Sequence, residues 1–276
     1  MAFRIVVPVD GSQASLHSLA WAIAFAVPTR SQLCVCSVLD PMLTCAAAAG
    51  GALIDPRPML ETMESDARMF VAGAVAKAVD ANVAVTSAVL EGDASVAICE
   101  FAREHDAEII VLGAHGRQGL ARGIAGSVTD DVVRATNAAI VTVRSDNSIA
   151  GPGSIVVAVD DSAAAAAAVR FARAIARALQ SSIHLVHIAV GSEPDREFSL
   201  DALARAAASA GVACTTEVRR GDIIDTLIGV VAERGASLIA TGTHGRNTVG
   251  RFVFGSVAAG LIRRSTVPVL VVRRQE

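Results

Sequence analysis

Apolar positions along the chain gather in short continuous runs rather than alternating residue by residue. Runs rich in Val, Ile and Leu fall at 3–9, 32–39, 83–90, 108–112 and 139–144, separated by alanine-rich amphipathic stretches at 12–26, 60–80, 94–104 and 127–136. The strand-like runs return in the same order at 154–159, 182–189, 212–219, 237–241 and 268–273. Continuous apolar runs with no polar face predict parallel strands covered on both sides. Strict alternation of strand and helix predicts right-handed crossovers, and hence doubly wound, Rossmann-like α/β sheets. Five strands in each half make two domains.

The two halves are copies in sequence as well as in pattern. FRIVVPVDGSQASLHSLAWAIAFA at 3–26 is echoed by SIVVAVDDSAAAAAAVRFARAIA at 154–176, which sets Asp10 on Asp160 at an offset of 150. Further on, Gly92 falls on Gly221 and Gly126 on Gly255 at an offset of 129. The 21-residue difference lies between the second and third strands, and DPMLTCAAAAGGALIDPRPM at 40–59 is the expected insertion. The junction SDNSIAGPGS at 145–154 has the composition of a linker. The expected domains are therefore 1–147 and 152–276.

Composition narrows the class of partner. With 276 residues, 53% hydrophobic and 18% charged, there is core material for two domains, and a net charge of -3 gives no overall attraction to nucleic acid or anionic membrane. The five cysteines, Cys34, Cys36, Cys45, Cys99 and Cys214, contain no CxxC and read as reduced thiols, with redox sensing by Cys34 and Cys36 or by Cys45 as the alternative. The start meets Asp10 too early for a secretory signal, and no run of 18 uncharged apolar residues suggests a membrane span. A cytoplasmic location is the expectation. His17, His184 and His187 lack metal-ligand spacing, so no protein metal site is expected.

The chemistry concentrates after the fourth strand of each half. In doubly wound sheets, ligands bind beyond the carboxyl ends of the strands, where the winding direction reverses. The first half has GAHGRQGLARGIAGS there, marked by Gly113, Gly116, Gly126 and Ser127; the second has GTHGRNTVGRFVFGS, with Gly242, Gly245, Gly255 and Ser256 at identical spacing. Glycines let backbone N–H groups approach phosphate oxygens, and the closing Gly-Ser opens a helix whose unpaired amides favour anions. Arg117 and Arg246 follow the second glycine and can place a guanidinium on phosphate; His115 and His244 precede it. After the first strand, Asp10 and Asp160 stand before Ser12 and Ser162, residues suited to capping the next helix or to holding the adenosine side of a nucleotide.

An Asp closing strand one and G-x2-G-x9-G-[ST] after strand four resemble the universal stress protein family, in its ATP-binding branch, over nearly the whole chain and twice. The resemblance implies strand order 3-2-1-4-5 in each half. It also implies that the halves pair through their last strands, AAIVTVR and VPVLVVR, as an intramolecular pseudo-dimer that can further form a homodimer. Nucleotide contacts carried over by position fall on Val9, Asp10, Val38, Leu112, Gly113, His115, Gly116, Arg117, Gly126, Ser127 and Val128. In the second half they fall on Asp160, Ile188, Thr241, Gly242, His244, Gly245, Arg246, Gly255, Ser256 and Val257. Departures there are Ala158 for Pro8, Asp161 for Gly11 and Ala258 for Thr129; the added carboxylate of Asp161 opposes phosphate unless a cation intervenes.

The expected function is an ATP-binding (or ADP- or AMP-binding) regulatory stress-response module, with Mg as an optional companion of the phosphates. Two alternatives stand beside it. A slow ATPase or phosphoryl-transfer enzyme would need a base such as His115 or His244, but no Walker A lysine loop is legible and no catalytic residue is assigned. A scaffold with vestigial nucleotide sites would purify without nucleotide.

Overall fold

The structure is a computed structural model that describes residues 2–40, 57–114, 127–149, 153–189, 200–243 and 255–273. The insertion is thus described only at Asp40 and from Arg57 onward. The chain divides into two compact units, 2–136 and 137–276.

The first unit alternates β1 (Arg4–Pro8), α1 (Gln13–Thr29), β2 (Gln32–Leu39), α2 (Arg57–Asp80), β3 (Val85–Glu91), α3 (Ala94–Glu104), β4 (Ile109–Gly113) and α4 (Ser127–Ala135). Its strands are parallel in the order β3-β2-β1-β4, with Val6 opposite Cys34, Cys34 opposite Thr86, and Ile5 opposite Ile109. Ile5, Val6 and Val7 are all fully buried. Three consecutive buried residues are what a strand covered on both faces requires, and each such side chain stabilises the fold by about 1.5–3 kcal/mol. Trp21 belongs to this core and stacks on Phe25 with ring centroids 5.1 Å apart.

The second unit holds β5 (Ala139–Val143), β6 (Ile155–Ala158), α5 (Ala163–Leu179), β7 (Ile183–Ala189), α6 (Leu200–Ala208), β8 (Cys214–Arg220), α7 (Ile223–Arg234), β9 (Leu238–Gly242), α8 (Ser256–Arg264) and β10 (Val269–Val272). Here β10-β9-β6-β7-β8 run parallel, the full 3-2-1-4-5 order for the second repeat. The last strand of the first repeat, β5, joins this unit and pairs antiparallel with β10, Leu270 opposite Val141.

Local chemistry starts corresponding helices alike in the two repeats. Ser12 Oγ accepts from Ser15 N–H at 3.2 Å and Ser162 Oγ from Ala165 N–H at 3.1 Å, capping α1 and α5. Gly92 and Gly221 turn the chain at φ 117° and 138°, delivering Asp93 and Asp222 as caps of α3 and α7. Helix α1 runs three residues beyond its expected end, through Pro28, and stops at Arg30 in the left-handed region with φ 54°. Pro28 has no N–H to give to Ala24 O, so the helix forgoes one backbone hydrogen bond just before it ends.

The edge strand β8 is defended by charge. Glu217 accepts from Arg219, from Arg234 at 3.1 Å and from buried His184 Nε2 at 2.9 Å, while Arg219 also reaches Glu233 at 2.7 Å. Such a network on an exposed edge discourages pairing with another chain. These contacts hold the Glu217 carboxyl at about 2, the Arg219 hydrogen bond being the largest cause.

Cys34 and Cys36 are free, adjacent on one face of β2 and fully buried; burial pushes the Cys36 thiol up to about 12. Burial of both thiols, with the thiolate of Cys36 suppressed, argues against a redox role for the pair. Cys45 lies outside the described residues. Among the described residues no helix is long and apolar enough to cross a membrane.

Candidate functional site

The carboxyl ends of β1, β2 and β4 are brought together around the first turn of α1. Buried Val9 continues the ladder by donating its N–H to Cys36 O at 2.7 Å, which ties the end of β1 to β2 two residues before Val38. Asp10 follows in a tight turn. Its Oδ1 accepts from Ser12 N–H at 2.9 Å, and its own N–H donates to Ser15 Oγ at 3.3 Å. One carboxylate oxygen is therefore committed to positioning the turn, which sets Asp10 half-buried at the sheet's carboxyl edge.

The second repeat reproduces this. Val159 N–H donates to Val186 O at 2.9 Å, and Asp160 Oδ1 accepts from Ser162 N–H at 3.0 Å. An addition with no counterpart in the first repeat is buried His187, whose Nδ1 donates to Val159 O at 2.8 Å and so braces the residue before Asp160. Sequence reasoning passed over His187 in searching for metal ligands; a carbonyl partner leaves no signal in residue spacing.

On the other side of α1, Gly113 closes β4. A Cβ there would lie 2.8 Å from the backbone carbon of Ala14, and one on Gly242 would lie 2.8 Å from that of Ala164. Neither has a left-handed backbone, so the first glycine of each loop is demanded by close packing of strand four on the opening turn of α1 or α5. The expectation gave these glycines to phosphate approach; the packing need is independent of any ligand.

The loops leave and return under restraint. Thr129 Oγ1 donates to Gly113 O at 3.3 Å, fastening the first turn of α4 to the end of β4. In the second repeat Ala258 stands in that place, and closure is by backbone: Gly255 N–H donates to Thr243 O at 2.8 Å, and Thr243 N–H to Val272 O at 3.1 Å. Buried Thr241 turns its hydroxyl onto Gly242 O at 3.3 Å. Helix α8 starts at Ser256 with no side-chain cap hydrogen bond and no acid in its first turn, so its opening amides keep their affinity for an anion. Helix α4 begins at the equivalent Ser127, with Asp130 in its first turn.

Of the remaining expected contacts, Val38 is half-buried opposite Leu90 on β3, Ile188 is buried opposite Arg219 on β8, Leu112 is buried, and Val128 is exposed on α4. Val257 lies in the first turn of α8. His115, Gly116, Arg117, Gly126, His244, Gly245 and Arg246 lie outside the described residues. Among the described residues no group of three or more His, Cys, Asp or Glu could hold a metal ion.

The model of the universal stress protein family matches residues 1–144 and again 153–273. The universal stress protein Rv2005c of Mycobacterium tuberculosis is 28% identical over 295 residues, covering 98% of this chain and 97% of its own length. A universal stress protein structure from Archaeoglobus fulgidus superposes with a TM-score of 0.77 at 20% identity, covering 99% of this chain and 98% of that one, which supports the fold. Lower-scoring matches, with TM-scores of 0.38 and 0.37, include a universal stress protein in complex with cAMP and one from Arabidopsis thaliana with AMP bound. Two successive family matches, together with two copies of the Asp turn and the strand-four glycine, carry one conclusion: this chain belongs to the universal stress protein family as a tandem member.

Proposed function

We propose that the chain is an adenine-nucleotide-binding regulatory module, with one site in each of the domains 1–147 and 152–276, working in the cytoplasm. The observation that carries this is the doubled arrangement at the sheet edge: an Asp turn after strand one, and a helix opening after G-x2-G-x9-G-[ST] whose first amides lie beyond strand four. Backbone N–H groups and a helix dipole favour phosphate, while the Asp side offers acceptors to a ribose. ATP is the reading, with ADP and AMP as the related ligands and Mg as a companion of the phosphates rather than a resident metal. Occupancy would order the glycine loops and change the surface offered to a protein partner; β5 and β10 would serve as the seam of the pseudo-dimer.

The test is to denature freshly purified protein and identify the released nucleotide by liquid chromatography and mass spectrometry, with stoichiometry. One or two adenine nucleotides per chain support the reading. None, together with no ATP binding by calorimetry, sinks it in favour of a scaffold. Gly126→Val, which puts a branched side chain into the phosphate loop, is expected to weaken ATP binding at least tenfold and leave far-UV circular dichroism unaltered.

A further inference from the structure

Gly11, directly after Asp10, has φ +77°, and the space where its Cβ would stand is filled by an aromatic ring: Phe70 Cε1 lies 2.4 Å and Cζ 2.5 Å from that point. Phe70 comes from α2, which packs on β2 and β3, so the ring reaches the end of β1 from the β2 side. Gly113, from which the glycine loop departs, is on the opposite, β4 side. If phosphates occupy the β4 side, the nucleoside extends over the carboxyl ends of β1 and β2, where Asp10, Val38 and half-buried Phe70 are found.

The two repeats differ here at both members of the contact. Val71 and Ala78 of α2 are buried like their counterparts Leu200 and Ala207 of α6, which fixes the alignment of these helices at the offset of 129. In that alignment Phe70 corresponds to Ser199, outside the described residues, and Gly11 corresponds to Asp161. In the first repeat a glycine stands where the ring presses on the backbone; in the second a charged residue is aligned with that glycine and a serine with the phenylalanine. Gly11 and Phe70 thus both differ from the residues aligned with them in the second repeat.

We infer that Phe70 is an aromatic wall of the first-repeat site, contacting the adenosine half of the ligand; this rests on the nucleotide-binding reading above. The two sites then differ at the residue after the Asp, Gly11 in one and Asp161 in the other. The first holds its nucleoside by aromatic contact, and the second presents the exposed Asp161 carboxylate beside Asp160. A base lying on an aromatic face gains enough that losing the ring is felt as a roughly five- to hundredfold change in affinity.

The experiment is calorimetric titration of ATP into the unaltered chain, Phe70→Ala and Phe70→Leu, each first checked for a cooperative thermal transition. Phe70→Ala is expected to weaken one ATP site about five- to hundredfold, and Phe70→Leu, which keeps most of the apolar volume, about two- to tenfold. Should Phe70→Ala fail to fold at the assay temperature, Phe70→Leu decides alone. Unaltered or tighter ATP binding in a folded variant overturns the assignment, tighter binding making the ring an obstruction rather than a wall. No ATP binding by the unaltered chain overturns the nucleotide reading itself, and this inference with it; binding by the unaltered chain with no effect at Phe70 overturns this inference alone.

Discussion

Adding one methyl group at Gly113 or at Gly242 separates a packing requirement from a ligand requirement. In Gly113→Ala the new Cβ meets Ala14 C and Cβ at 2.8 Å and Ala14 O at 3.1 Å, where ordinary contact begins at 3.4 Å. The strand end or the helix turn must therefore give by about 0.6 Å. Neither moves freely. Ala14 is buried in a turn capped by Ser12, its carbonyl accepts from Ser18 Oγ at 2.7 Å, and Gly113 O is fastened by Thr129. Forcing a methyl into such a site costs about 1–3 kcal/mol. The reduced freedom of the unfolded chain returns about 0.4–1 kcal/mol; with a clash of 2.8 Å against backbone placing the cost in the upper part of its range, the net loss is about 1–2 kcal/mol. For units of this size that lowers the melting temperature by roughly 2–8 °C. The assay is differential scanning calorimetry of nucleotide-free protein, with Gly242→Ala, whose Cβ meets Ala164 backbone at the same 2.8 Å, expected to act alike. Melting temperatures within 1 °C of the unaltered chain in both variants, with ATP affinity alone reduced, would refute the packing argument and return these glycines to the ligand.

Further expectations concern acid stability and thiol reactivity. Glu217 is held at about 2 against a usual 4.5, so its stabilising contribution is complete above about pH 4.5 and is lost as the pH falls towards 2. Glu217→Gln should flatten the decline of stability across that window, measured by urea unfolding at stepped pH; an equally steep decline would show that the network carries no pH dependence. At neutral pH the loss should stay within about 1 kcal/mol, because Arg219 and Arg234 remain open to solvent. Cys34 and Cys36 should resist a maleimide in the native protein at pH 8 and react only after denaturation, mapped by mass spectrometry; rapid native labelling of either would contradict their burial. Asp93→Ala removes a cap whose Oδ1 accepts from Ser95 and Val96 N–H at 2.9 and 3.0 Å, and should cost about 0.5–2 kcal/mol in chemical denaturation.

What the sequence determined by itself was everything expressed in local periodicity and repetition. Runs such as Arg4–Pro8 and Ile109–Gly113 are strands because they are apolar on both faces, and the alternation of strand and helix leaves few arrangements other than parallel crossovers. The offsets of 150 and 129 placed Asp10 on Asp160 and Gly126 on Gly255, and Ser12 and Ser162 were legible as caps because a capping hydrogen bond spans only three residues. Contacts between residues distant in sequence were decided only by the tertiary structure. Nothing in local pattern says that Gly113 must admit Ala14, that Gly11 makes room for Phe70 from α2, or that His187 holds the Val159 carbonyl. These depend on which elements the sheet order brings side by side, and the grouping of β5 with β10 in the second unit depends on it equally. Periodicity records which face of an element is buried; the partner it is buried against is settled when the chain packs.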